Sequence, residues 1–167
     1  MWRKYGLEMR LPQGKLPGFY AQIVKGIAER AELFDRHKEL LVLNSGEDAD
    51  AVEEFLRRYG VEAEACALLA APAASVSGSG RLEDFAVAAR EGHVLFDLAY
   101  VAAFRLTEER PEAESAPALM QLAEHVIAEI RKDGEVWHVI ERQLRELAER
   151  VARAYGCEAR WFETDPL

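Results

Sequence analysis

Across residues 5–69 the sequence switches between two hydrophobic periodicities, and that alternation confines the chain to stacked layers of strands and helices. "YGLEMRL" sets Leu7, Met9 and Leu11 on one face, the period-two signature of a strand. "LPGFYAQIVKGIAERAELF" places Phe19, Ile23, Ile27, Ala31 and Phe34 at helical spacing, with Pro17 suited to a first helical turn. "ELLVLN" is short and apolar, as in a strand covered on both faces. In "SGEDADAVEEFLRRYG" a stripe of Val52, Phe55, Leu56 and Tyr59 lies between leading acids and trailing Arg57 and Arg58, and Gly60 ends the helix. "VEAEACALL" alternates and then turns wholly apolar, a strand with one wet end. The predicted order is β-α-β-α-β.

The second half is less regular. "APAASVSGSG" reads as a mobile loop. "LEDFAVAAREG" has Leu82, Phe85, Ala86 and Ala89 at helical spacing, although Phe85, Val87 and Ala89 also alternate as a strand would. "HVLFDLAYVAAF" predicts one strand, "TEERPEAESAP" an acidic surface loop and "CEARWFE" the last strand. Between them, residues 116–155 read as helical. The expected fold is therefore a single α/β (or α+β) domain over residues 1–167. It has a mixed sheet of about five strands covered by helices, and a long C-terminal helical segment before the last strand.

That helical segment admits two forms. Leu119, Ala123, Val126, Ile130, Trp137, Ile140, Leu144, Leu147, Val151 and Ala154 follow one another in steps of four and three, broken only at Asp133. Unbroken phase describes one long or kinked helix, whose seam needs a partner chain as in a coiled coil. Asp133-Gly134 is turn chemistry, however, and glycine inside a helix costs about 1 kcal/mol relative to alanine. The turn describes a hairpin of two antiparallel helices instead. A shorter signal links the halves: "RRYGVEAEA" at 57–65 resembles "RAYGCEARW" at 153–161. With so few matching residues, this likeness reads as shared helix-end chemistry rather than a distant duplication, two α-to-β transitions of similar geometry.

Composition excludes some classes of function. The net charge of −9, with no basic run longer than three residues, argues against nucleic acid or an anionic membrane as partner. No apolar run is long enough for a transmembrane helix, and the basic start lacks the apolar stretch of a secretory signal. The expected location is cytoplasmic. Cys66 and Cys157 are too few and too isolated for a disulfide framework or zinc knuckle. Sixteen Arg against five Lys, with only five Asn and Gln together, fits a thermophilic host.

Three constellations carry chemical potential. Glu135-Val-Trp-His138 has the Glu-x-x-His spacing of carboxylate-bridged metal sites, and a helical hairpin brings His125 and Glu129 near it. On a helix, though, both histidines share faces with Gln121, Glu124, Glu141 and Arg142, which are solvent faces. Ser77, Gly78, Ser79, Gly80 and Arg81 form a glycine-rich loop able to offer N–H groups to an anion, without the spacing of a dinucleotide fingerprint or P-loop. His93 and Asp97 share a strand face, but lie about 13 Å apart at roughly 3.3 Å per residue, too far to touch. No nucleophile motif surrounds either cysteine, and no cofactor is specified.

Two functional expectations follow. The first is a soluble binding or regulatory domain acting as a homodimer, with Trp137, Ile140, Leu144, Leu147 and Val151 on its seam. The second is a small metal-binding or acid–base enzyme using His125, Glu129, Glu135 and His138.

Overall fold

In the computed structural model, which describes residues 1–162, the chain builds the same six-element pattern twice. The first copy runs β1 (Trp2–Arg10), α1 (Pro17–Arg30), β2 (Leu33–His37), β3 (Leu40–Leu43), α2 (Gly46–Arg58) and β4 (Glu62–Pro72). A connecting segment supplies β5 (Val76–Gly78), α3 (Leu82–Phe85), β6 (Ala86–Ala88) and β7 (His93–Asp97). The second copy runs β8 (Val101–Thr107), α4 (Ser115–Leu122), β9 (Ala128–Lys132), β10 (Glu135–Glu141), α5 (Arg145–Ala154) and β11 (Glu158–Trp161).

Both copies are β-α-β-β-α-β units with the strand order of a split βαβ, the ferredoxin-like arrangement. Strand order is β2-β3-β1-β4 in the first and β9-β10-β8-β11 in the second, and every pairing is antiparallel. The connecting segment extends each sheet, with β7 and β6 beyond β4 and β5 beyond β9. The result is an α+β fold with a six-stranded and a five-stranded antiparallel sheet, in place of one mixed sheet.

The repeated helix end is where sequence and topology agree most closely. Tyr59 and Tyr155 close α2 and α5 near φ −92°, ψ 8° and φ −103°, ψ 14°. Gly60 and Gly156 follow at φ +70° and +74°. The Gly60 N–H donates to the Arg57 carbonyl at 3.0 Å and Val61 to Leu56 at 2.9 Å; Gly156 to Arg153 and Cys157 to Ala152 repeat these at 3.1 and 2.9 Å. Residues 96 apart coincide beyond the cap as well, with Glu53 and Glu149 upstream and Glu62 and Glu158 downstream. The likeness between 57–65 and 153–161 therefore marks equivalent positions of two topologically equivalent units.

Three apolar clusters hold the layers. Leu7, Ile23, Ile27, Leu41, Val52, Phe55 and Leu56 lie between α1, α2 and the first sheet. Phe104, Ala118, Leu122, Ile140, Ala148 and Val151 lie beneath α4 and α5. Leu69, Phe96, Val101, Ala103, Ile130 and Val139 join the two sheets. The first sheet also curls, so that its ends meet. The Arg90 N–H donates to the Arg36 carbonyl at 2.9 Å, and a ring nitrogen of His37 lies 3.0 Å from the Ala88 carbonyl. The curl encloses a fourth cluster of Val42, Leu68, Ala70, Ala89 and Leu95.

The helical reading of 116–155 is corrected. Helix occupies Ser115–Leu122 and Arg145–Ala154, and β9 and β10 form a hairpin between them. Asp133 and Gly134 take φ +52° and +81°, as a two-residue type I′ turn demands, and its twist joins strands rather than helices. Ala128 and Ile130 are buried and alternate with exposed Glu129 and Arg131, so the four-three phase crossed a period-two segment by coincidence. The seam residues are consequently split between two apolar clusters. Trp137 packs against the cluster between the sheets, whereas Ile140, three residues on and so on the opposite strand face, packs with Leu144, Leu147 and Val151 beneath α4 and α5. Replacing Gly134 by alanine should lower stability by about 1 kcal/mol, measured by urea denaturation, because the site needs a positive φ.

Two further elements differ. The helix read as continuing to Phe34 stops at Arg30, and Leu33–His37 pairs with β3 as an edge strand. The strand read over 93–104 is two, β7 in the first sheet and β8 in the second, because the chain changes sheets at 98–100. The 82–92 segment holds both of its competing readings, a short helix followed by β6. Glu163, the end of the predicted last strand, lies outside the described residues.

Candidate functional site

A large apolar concavity lies where α1 overhangs the edge of the first sheet. Ile23 and Ile27 seat α1 on Leu7, Met9 and Leu41, which fixes the helix over β1 and β3. The edge strand β2 emerges beyond it. Between them a cleft of ≈ 630 Å³ is bounded by Tyr20, Val24 and Ala28 on the helix and Leu33 and Arg36 on β2. The second unit is built differently there. Its α4 has 8 residues against 14 in α1, and its equivalent edge strand β9 is paired with β5.

Few polar groups face this cleft. The Tyr20 hydroxyl donates to the Pro12 carbonyl at 2.6 Å and is thereby committed. Glu32 and Arg36 stand four residues apart along the extended chain at β2, too far apart for direct pairing. Among the described residues Arg36 has no carboxylate within ion-pair distance. Its Nε donates to the Lys38 carbonyl at 2.7 Å, which fixes the side chain and leaves the terminal NH₂ groups for other partners.

Behind Arg36 lies a buried polar arrangement centred on Asp35. The Asp35 side chain is fully buried. Its Oδ1 accepts the backbone N–H groups of Arg36 at 2.7 Å and Glu91 at 2.8 Å, and its Oδ2 lies 2.6 Å from Nδ1 of His93. An ionised carboxylate only accepts, so the His93 Nδ1 carries the proton of this hydrogen bond. Burial would raise the Asp35 carboxyl's affinity for protons, but the two backbone N–H groups and the His93 ring together hold it below the usual aspartate value. Phe34 stacks obliquely on His93 with ring centroids 4.3 Å apart, and Trp2 meets both rings edge-on. The pair ties β2 to the β6–β7 turn and so closes the curled sheet.

His93 does not find its partner in Asp97, with which it shares a face of β7. The structure supplies Asp35 instead, while Asp97 Oδ1 accepts the Ala99 N–H at 2.8 Å where the chain changes sheets. The four predicted metal ligands do not converge. His138 and Glu129 are cross-strand partners 3.5 Å apart. Glu135, an odd number of residues from His138 on the same strand, faces the other way and pairs with Arg105 at 3.2 Å. His125 lies 3.5 Å from Glu124. Burial lowers the His138 pKa, against the opposing pull of Glu129, so its ring is neutral at pH 7. Among the described residues no group of three or more His, Cys, Asp or Glu is placed to hold a metal ion.

The 77–81 segment is not an open loop. Ser77 and Gly78 belong to β5 and pair with Glu129 and Ala128. The Ser79 N–H donates to the Ile127 carbonyl, and Ser79 Oγ accepts the Arg81 N–H. Gly80 follows in the turn before α3, and the Arg81 guanidinium is paired with Glu141 and lies over the Phe85 ring. Burial pushes the Cys66 thiol up to about 12, so it is protonated and unreactive at neutral pH. Among the described residues no helix is long and apolar enough to cross a membrane.

Neither Asp35 nor the cleft was found from sequence. The one available signal was an acid flanked by Phe34 and Arg36 just after an apolar helix face. No protein-family model matches the chain, and no curated protein matches it.

Proposed function

We propose that this protein is a binding or regulatory module that holds a small, largely apolar molecule in the cleft between α1 and β2. The observation that carries this reading is the concavity itself. It is of ligand size, lined mainly by aliphatic side chains, and has few polar groups at fixed positions. Its walls are supported by the buried cluster beneath α1, and β2 is held in place by Asp35 and His93. Such support keeps a site open without rearrangement and limits the ordering cost of binding.

The test uses a neutral apolar dye, N-phenyl-1-naphthylamine, whose emission rises on leaving water. Wild-type protein should bind it saturably, one molecule per chain. Ala28→Phe adds a ring at an exposed position lining the cleft, so it should remove most dye binding and leave the circular dichroism spectrum unchanged. Absence of saturable binding to wild type, or full binding to a folded Ala28→Phe, would sink the proposal.

A further inference from the structure

We infer that the molecule held by the cleft carries a single anionic head, a carboxylate on an aliphatic or aromatic body, and that Arg36 is the residue that selects it. This inference rests on the cleft reading above and adds the chemical class of the ligand.

Of the residues lining the cleft, Tyr20 has spent its hydroxyl on Pro12, and the other side chains except Glu32 and Arg36 are apolar. The terminal guanidinium nitrogens of Arg36 are therefore the side-chain donors left for a ligand. Their geometry matches a carboxylate, which accepts two parallel N–H bonds from such a fork. Glu32, the one acid in the lining, is exposed and forms no ion pair with Arg36 among the described residues.

Arg36 is also held still. Its N–H is bound by Asp35, its carbonyl accepts from Arg90, and its Nε is bound to Lys38. Three separate bonds thus fix one residue at the cleft wall. A side chain fixed in advance loses less freedom on binding than a free arginine does, so its contribution to selectivity is larger. Asp35 and His93 act here as positioning residues and do not touch the ligand.

Displacement of the dye by decanoate, decan-1-ol and decylammonium, each below its aggregation concentration, tests the inference. Decanoate should displace the dye at about a tenth or less of the concentration that decanol requires, as one charge-assisted hydrogen-bonded pair implies. Decylammonium should be the weakest of the three. The preference for decanoate should shrink as sodium chloride is raised. In Arg36→Gln, the advantage of decanoate over decanol should be lost, each compared as its ratio within that variant. Equal potency of the three in wild type, or a preference for decylammonium, would overturn the anionic head and leave the apolar cleft standing. A wild type that binds no dye would instead remove the cleft reading itself. The wild-type head-group order and its salt dependence need no variant, so the inference is decided even if Arg36→Gln does not fold.

Discussion

Asp35→Ala is expected to destabilise the protein by about 3–5 kcal/mol, the cost of breaking a buried, hydrogen-bonded charge pair from one side. Alanine would strand the N–H groups of Arg36 and Glu91 and the Nδ1–H of His93, all of which now end on this carboxylate. Each buried donor left without a partner costs about 1–3 kcal/mol, and local opening to water recovers part of the sum. Urea denaturation at neutral pH measures the loss directly. A change under 1 kcal/mol would mean that the β2–β7 closure is not cooperative with the rest of the fold.

The same residue predicts a pH dependence of definite sign. The folded-state pKa of Asp35 lies below the usual aspartate value of about 3.9. Its contribution to stability is complete above that unfolded-state value and is lost as pH falls through the folded one. In that window the unfolded chain takes up a proton that the native chain does not. Wild-type stability should therefore drop more steeply below about pH 4 than that of Asp35→Asn, which has no proton to bind. Parallel curves for the two proteins would contradict the assignment.

Gly26→Ala should also destabilise, although it replaces glycine within a helix by the best helix former. Helix propensity favours the substitution by about 1 kcal/mol. A methyl group at Gly26, however, would enter the space filled by the Phe55 ring, where α1 crosses α2. Forcing volume into a packed contact costs about 1–3 kcal/mol, so the clash outweighs propensity and a net loss of up to about 2 kcal/mol is expected. Phe55→Leu would make room, and Gly26→Ala should cost less in that background than in wild type. Simple additivity in this cycle would show that the ring relaxes elsewhere.

Local pattern was a good guide where one face of one element set the answer. Leu7 and Met9 on β1, Ile23 and Ile27 on α1, and Val52, Phe55 and Leu56 on α2 all point into the cluster their spacing implied. The helix ends at Tyr59 and Tyr155 were legible for the same reason, since a cap involves only a few consecutive residues. The pattern misled where two periods share positions. Val126 and Ile130 keep step with Leu119, yet the first is in a connection and the second on a strand. The Asp133-Gly134 dipeptide was read as a turn, but its positive φ angles specify the type that joins strands.

By itself, then, the sequence determined which segments carry an apolar face, where two of its helices end in the same way, and that the chain is acidic. Each of these is a property of neighbouring residues or of composition. Only the tertiary structure decided that the topology is doubled, that Asp35 meets His93 across 58 positions, and that α1 overhangs an edge strand to leave a cleft beside Arg36. Strand pairing and cavity walls are contacts between distant residues. Periodicity reports which way a side chain points, but not which surface it meets.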